Sequence, residues 1–381
     1  MKIPEFKLER FFARYEFNAP YLLCCSDLES LTVSELLTLP KTPTEKAESL
    51  ENLWLGYTES KGAPELRHEI RKLYEQLDSD DILVHTGAEE GIFNFMHTVL
   101  APGDHIIVQY PCYQSLFEIA AAIGCEVTRW RPSLSGNTSD SLSFQWDADF
   151  LKKSITPKTR AIVINSPHNP TGCILGKTML DDIAHIAEYY GIHVLSDEVY
   201  RFSEYDEKDR HPSMADLTER GVSLGVMSKS FGLAGLRIGW LALKNKALYN
   251  KMAALKDYTT ICNSAPSEFL ATFALKNKVK LLERNNGIIK NNLETLIPFF
   301  QKYNDIFTWI PPMGSALAFP VIKNVENSES FTQKLVEQTG VLLMPGIIYG
   351  NAYKNHFRIG FGRKNMPECL GHLANFLNQE Y

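Results

Sequence analysis

The tripeptide Ser228-Lys229-Ser230 follows the apolar run Gly225-Val226-Met227, and Arg237 comes eight residues after the lysine, beyond a glycine-rich bend. A lysine at the end of a buried strand loses hydration, which lowers its pKa, and a neighbouring cation lowers it further. Such an amine attacks carbonyl carbon. Arg237 carries the rigid fork of donors that suits a phosphate. A Schiff-base lysine beside a phosphate-binding arginine points to pyridoxal phosphate. The plainer alternative is a lysine that caps a strand and an arginine on the surface.

Other polar residues stand at comparable places. Thr86 to Gly91 carries a strand through a glycine turn into a helix start, where free backbone N–H groups and the helix dipole favour an anion. Gly87, Ala88 and Glu89 lie at that corner. Asp197 ends the apolar run from Ile192, so its carboxylate needs a cationic or hydrogen-bonding partner. A pyridinium nitrogen is such a partner. Asn169 and Tyr200 can hydrogen-bond a phenolic oxygen, and Tyr113 can lie flat on a ring. Taken singly, Asn-Pro pairs make turns and tyrosines fill cores.

These residues need a scaffold that brings strand ends together. Helical periodicity from Ala63 to Leu77 leads to a strand at Ile82-Leu83-Val84, then a helix towards Leu100 and a strand from His105 to Gln109. A helix through Ala122 and a strand from Cys125 to Trp130 follow. The polar stretch from Arg131 to Ser143 reads as a surface loop. Thr159 to Ile164 is a strand, Thr178 to Tyr190 a helix, and Ile192 onwards another strand. Leu236 to Leu243 reads as a further strand, and helices fill Leu248 to Phe300.

Such alternation implies α/β architecture with a doubly wound, mostly parallel sheet, whose strand carboxyl ends share one edge. The last third differs, with short strands at 307–310, 316–322, 341–344 and 356–361 among two helices. The expected organisation is an N-terminal segment over residues 1–44 that packs with the small domain, a large cofactor-binding domain over 45–285, and a smaller α+β domain over 286–381. The polar segment from Lys41 to Glu51 reads as a loop or linker.

Composition narrows the function. The chain has 381 residues, 44% hydrophobic and 22% charged, as in ordinary globular proteins. Its net charge is −6, with no basic stripe, so nucleic acid is not expected as a partner. No apolar run is long enough to cross a bilayer, and Met1 to Arg14 lacks the apolar centre of a secretory signal, so a cytoplasmic protein is expected. The seven cysteines show no metal or redox spacing, and no metal is expected.

In order along the chain, Tyr57 through Gly62 to Arg67, Thr86 to Gly91, Asn165 to Gly172, Ser196 to Tyr200, Ser228 to Gly239 and Phe357 to Gly362 match one pattern. With these motifs the sequence resembles the fold-type I pyridoxal-phosphate enzymes of the class I/II aminotransferase family, from about residue 52 to 363. The resemblance implies that Lys229 forms the Schiff base and serves as base and acid in the proton shift. It implies that Asp197 pairs with the pyridine nitrogen, that Asn169 and Tyr200 bind the phenolic oxygen, and that Tyr113 stacks. The phosphate would be held by the backbone of Ala88 and Glu89 at the Gly87 turn, by Ser228 and Arg237, and by Tyr57 from the other subunit of a homodimer. Arg358 would clamp the substrate α-carboxylate, with Asn169 beside it. An amino acid and a 2-keto acid would be the substrates.

The sequence departs from that pattern at Val226, where the family often has a phosphate-binding serine, and at Cys24 to Ser30, which replaces a small-residue turn roofing the substrate. No arginine near Asn263 to Glu268 matches the second-carboxylate ligand of aspartate-specific members, so dicarboxylic specificity is not expected. Asp27 and Glu29 could face the substrate and favour a basic side chain, or form a solvated turn. His168 is a weaker choice for a general base. Gly172 to Thr178 imitates a nucleotide phosphate loop with one residue too few between its glycines. Two other readings stay open: a cyclase, lyase or oxidase resembling capreomycidine synthase, and a non-catalytic regulator that binds the same cofactor.

Overall fold

The computed structural model describes residues 2–39, 50–136 and 142–380. Its centre is a seven-stranded sheet made of β2 (Ile82–His85), β3 (His105–Gln109), β4 (Glu126–Trp130), β7 (Thr159–Asn165), β8 (His193–Asp197), β9 (Gly221–Val226) and β10 (Gly239–Ala242). Outside it in this half lies the hairpin of β5 (Ser133–Ser135) with β6 (Ser143–Gln145), while β1 (Tyr21–Leu22) joins the C-terminal half. The order is β2-β10-β9-β8-β7-β3-β4. Neighbours run parallel except β10, which is antiparallel to both β2 and β9. β3, β9 and β10 are buried along their whole length, as expected for strands covered on both faces.

Helices α1 (Lys7–Tyr15), α2 (Val33–Leu37), α3 (Pro64–Arg71), α4 (Gly87–Val99), α5 (Ser115–Ile123), α6 (Ala148–Ser154), α7 (Lys177–Tyr190), α8 (Met214–Leu217), α9 (Lys246–Lys256) and α10 (Ala265–Lys276) belong to this half. The long α11 (Lys278–Lys302) leads into α12 (Ser328–Thr339) and α13 (Met366–Glu380), which pack with β11 (Phe307–Thr308), β12 (Leu317–Ala318), β13 (Val321–Ile322), β14 (Val341–Leu342), β15 (Met344–Pro345) and β16 (Phe357–Gly360). A separate apolar core there joins Phe300, Phe307, Phe331, Phe357 and Phe376. β1 pairs in parallel with β14, and the Gly360 N–H donates to the Leu23 carbonyl at 3.0 Å.

From the middle of the sheet, β3 and β4 proceed towards one edge while β7, β8, β9 and β10 proceed towards the other. The reversal falls between β3 and β7. A crevice opens beyond strand carboxyl ends at such a point, and the segments after these two strands carry Tyr113 and Asn169.

Several boundaries differ from the sequence reading. The strand expected from Leu236 begins only at Gly239, because 234–236 form a 3₁₀ turn and Arg237 takes φ +52°. The helix expected from Ala63 to Leu77 is regular only over Pro64–Arg71. The surface loop expected over 131–143 contains β5, while residues 137–141 lie outside the described residues. The same holds for residues 41–49 of the expected linker. Among the described residues, no helix is long and apolar enough to cross a membrane.

Candidate active site

A cavity of about 430 Å³ sits over the strand ends and is lined by Ala88, Glu89, Tyr113, Asn169, Asp197, Tyr200, Ser228, Lys229, Arg237 and Arg358, together with Asp27. Gly87 stands directly behind it.

At one end, β2 passes straight into α4, whose first-turn amides lack helical partners and carry the positive end of the dipole. Gly87 has φ +81°, and a Cβ there would lie 2.5 Å from Arg237 Nη2. A Cβ on Gly239 would lie 2.6 Å from the Gly87 carbonyl carbon. Only glycines let β10 press the helix start closely enough to aim Arg237 into the cup. Arg237 Nη1 donates to the Ala234 carbonyl at 3.2 Å and lies 3.5 Å from Ser228 Oγ. Amides, a hydroxyl and a guanidinium thus converge on one point. Val226 also lines the cavity, where it offers no donor.

In the middle, Asp197 ends β8 and is 5% exposed. Its carboxylate accepts one long bond, from the Val199 N–H at 3.3 Å. Burial pushes its pKa up to about 7, against smaller opposing effects of that bond and of Lys229. A buried carboxylate so poorly served needs a cation. Among the described residues the buried Tyr200 hydroxyl has no hydrogen bond of good geometry, with only the Ser26 side chain nearby to serve it. These two orphaned groups fit the pyridinium nitrogen and phenolic oxygen of pyridoxal phosphate. The Tyr113 hydroxyl donates to Glu9 Oε1 at 3.1 Å, and its ring packs against Phe6.

Lys229 Nζ donates to Ser26 Oγ at 2.8 Å. Its pKa is lowered, first by burial, with Asp27 opposing and Arg358 adding to the fall. The cation that assists is therefore Arg358 rather than Arg237, because Arg237 is turned away into the phosphate cup.

At the far end, Arg358 on β16 is fully buried. Its Nε and Nη2 donate to the Cys24 carbonyl at 3.1 and 2.8 Å. Its Nη1 donates to the Tyr349 hydroxyl at 2.8 Å and lies 3.3 Å from Asn169 Oδ1. The fork is held from three sides and is ready for a carboxylate.

Asp27 lies in the cavity wall, but its carboxylate is paired with Arg363 Nη2 at 2.9 and 3.2 Å. Glu29 is not in that wall and accepts from the Lys364 N–H. His168 is buried with Nδ1 against Thr171 Oγ1, and burial lowers its pKa to about 3, so it is no base for this cavity. Gly172 packs on Pro312 and the Leu317 carbonyl, which leaves no room for a nucleotide. Tyr57 stands apart, 82% exposed, in a different groove with Trp54, Phe269 and Phe273.

The structure adds residues that sequence reasoning missed. Leu8, Glu9, Phe12 and Glu16, on or just after α1, wall the cavity, alongside Cys25 and Ser26 of the segment expected to roof the substrate. The segment 11–17 is aromatic and charged, yet nothing local says that it folds back over the strand ends. Tyr349 had no signal at all.

The model of the family described as "Aminotransferase class I and II" matches residues 26–373. A probable aspartate aminotransferase of Methanocaldococcus jannaschii is 30% identical over 363 residues, which cover 92% of this chain and 93% of that protein. A PLP-dependent aminotransferase structure from Streptococcus suis superposes with a TM-score of 0.91 at 31% identity, over 100% of this chain and 99% of the other. The PLP-dependent cyclase OrfR superposes with a TM-score of 0.87 at 26% identity, over 100% and 99%.

Proposed function

The chain belongs to the class I and II aminotransferase family, and from that premise we propose that its amino donor carries a cationic side chain. The protein has the fold-type I architecture of PLP enzymes and is a PLP-dependent aminotransferase, moving an α-amino group between an amino acid and a 2-keto acid. The observation that carries the donor class is the wall that α1 and the 25–27 segment add to the cavity. Glu9, Glu16 and Asp27 all face it. Among them only Asp27 has an ion pair within the described residues. Burial, the like charge of Asp27 and, less strongly, that of Glu9 raise the pKa of Glu16, and Arg363 and Lys229 only partly oppose them. A guanidinium or ammonium placed there would relieve that repulsion.

In this reading Arg358 grips the α-carboxylate and leaves the side chain pointing at the three carboxylates. The donors at Ala88, Glu89, Ser228 and Arg237 hold the cofactor phosphate. Asp197 keeps the ring nitrogen protonated, Asn169 and Tyr200 serve the phenolic oxygen, and Tyr113 covers the ring. Bound there, pyridoxal phosphate supplies the electron-withdrawing ring that stabilises the carbon left when the α-proton departs. Lys229 would be the amine that holds the cofactor aldehyde, and its Nζ, free of that bond, would serve as the base that takes the substrate α-proton and the acid that gives it back. The depressed basicity of Lys229 serves both tasks, since a neutral amine is needed for attack and for proton removal.

The working unit in this reading is a homodimer in the cytoplasm. Support comes from Trp54, Leu55, Tyr57, Tyr258 and Ile261, which are large, apolar and exposed. Trp54 and Tyr57 themselves line a groove of about 1040 Å³. A second copy would cover them and bring Tyr57 to its partner's phosphate cup. All seven cysteines are free, as suits a reducing compartment.

The test adds single amino acids to the purified holoenzyme without a keto acid and follows the visible cofactor band. Arginine, ornithine or lysine should discharge the band with one equivalent of keto acid, at a KM about 10- to 100-fold below that of aspartate or phenylalanine. Preference for aspartate or phenylalanine would overturn the donor class. Product accumulating without an added keto acid while the band persists would overturn transamination in favour of a lyase or cyclase outcome.

A further inference from the structure

Tyr349 ends a 3₁₀ turn over Gly346–Tyr349, just after β15, and is 3% exposed. Its hydroxyl accepts from Arg358 Nη1 at 2.8 Å and donates to Asn169 Oδ1 at 3.2 Å. Its own carbonyl accepts a bond from the Tyr110 hydroxyl. One side chain therefore links the arginine of the carboxylate site to the asparagine at the phenolic oxygen.

Two consequences follow from counting donors. Asn169 Oδ1 already faces the Tyr349 hydroxyl and Arg358 Nη1, so its Nδ2 is left for the cavity, and no protein acceptor takes it among the described residues. The amide is thus fixed as a donor towards the cofactor. On Arg358, Nε and Nη2 share the Cys24 carbonyl while Nη1 serves Tyr349 and Asn169. An incoming carboxylate finds a free hydrogen only on Nη2. A two-point grip must take Nη1 from its weaker partner, the 3.3 Å contact with Asn169.

We propose that Tyr349 is a positioning residue that keeps the Asn169 amide oriented while the substrate carboxylate draws Arg358 away from it, and so couples carboxylate binding to proton affinity at Lys229 Nζ. When the carboxylate takes Nη1, Asn169 Oδ1 loses one donor and keeps the other. Its N–H groups become weaker donors to the phenolic oxygen. That oxygen then holds more charge beside Nζ, and the proton there is bound more tightly. Without the Tyr349 hydroxyl, the Asn169 side-chain oxygen keeps only its long contact with Arg358, which the carboxylate removes, so the response to carboxylate has no fixed amide to act through. Burial raises the Tyr349 pKa to about 12, so the hydroxyl remains a donor throughout the working range.

The inference rests on the assignment of Lys229 and Asn169 to pyridoxal phosphate. Its test is a spectrophotometric pH titration of the bound cofactor in wild type and Tyr349→Phe, with and without acetate as a carboxylate that carries no side chain. In wild type, acetate should raise the midpoint. In Tyr349→Phe the midpoint without acetate should rise by about 1 unit, the acetate response should vanish, and KM for the amino donor should rise about 10-fold with kcat changed less. An unchanged midpoint with a retained acetate response would overturn the inference, even if KM rose, because loss of packing alone raises KM. If Tyr349→Phe fails to fold, Tyr110→Phe should show the same changes in smaller degree, since it releases only the anchor on the Tyr349 carbonyl. An unchanged Tyr110→Phe would then overturn the inference. Absence of any cofactor band in wild type would refute the cofactor assignment instead.

Discussion

Gly87→Ala separates two effects that the phosphate cup combines. The first is conformational: Gly87 has φ +81°, and a side chain in that region costs about 1–2 kcal/mol. This cost falls on the folded protein with or without cofactor, so it lowers stability and leaves affinity alone. The second is steric: the new Cβ would stand 2.5 Å from Arg237 Nη2, which must swing away. A charge-assisted hydrogen bond to phosphate is then lost, about 1.5–3 kcal/mol, or roughly a 10- to 150-fold rise in the cofactor Kd. Gly235→Ala is the control, because nothing lies within 4 Å of its added Cβ and its φ is not positive. The assay is equilibrium titration of cofactor-free protein with pyridoxal phosphate, read by visible absorbance, with thermal unfolding alongside. A Kd within twofold of wild type, or equal weakening in Gly235→Ala, would refute the account of the cup.

Asp197 makes the stability of the cofactor-free protein depend on pH. Its pKa rises from 3.8 to about 7 on folding, so between those values the folded chain holds a proton that the unfolded chain has released. Stability should fall as pH rises through that window, by up to about 4 kcal/mol. Asp197→Asn should flatten this part of the melting profile while abolishing turnover, and parallel profiles would count against the assignment. Lys229→Ala should fold and bind pyridoxal phosphate reversibly, with transamination down by orders of magnitude; near-normal turnover would remove Lys229 from the chemistry. Glu16→Gln should raise KM for a cationic donor by about 10-fold and leave an uncharged donor nearly unaffected, which steady-state kinetics with arginine and alanine would check.

The motif-bearing parts of the cavity were readable because each is local. A glycine turn at 87, an aspartate after an apolar strand at 197 and a lysine between serines at 229 carry their chemistry in a few neighbouring residues, and a mostly parallel sheet collects strand ends without further instruction. What the sequence hid depends on long-range closure. Glu16 and Tyr349 reach the cavity through the docking of α1 and the turn after β15, and the pairing of β1 with β14 beside the 24–30 segment rests on two-residue strands that leave no periodicity to read. Asp27 shows the limit most clearly: its place in the wall was foreseeable, but its pairing with Arg363 was not. The antiparallel β10 was likewise invisible, because a buried apolar strand reads the same in either direction.

The bond from Arg358 to the Cys24 carbonyl spans 334 residues of chain. On a ribosome adding about 5–20 residues each second, Cys24 emerges roughly 15–70 s before the arginine that it must hold. Until then the core that receives Leu23 and Leu28 lacks Phe357 and Phe361, although its earlier members from Ile289 to Leu343 have already emerged. The large sheet, complete by Ala242, can assemble meanwhile. The carboxylate site is therefore finished last, and a nascent chain cut short before β16 would carry an assembled cofactor cup with nothing to grip a substrate.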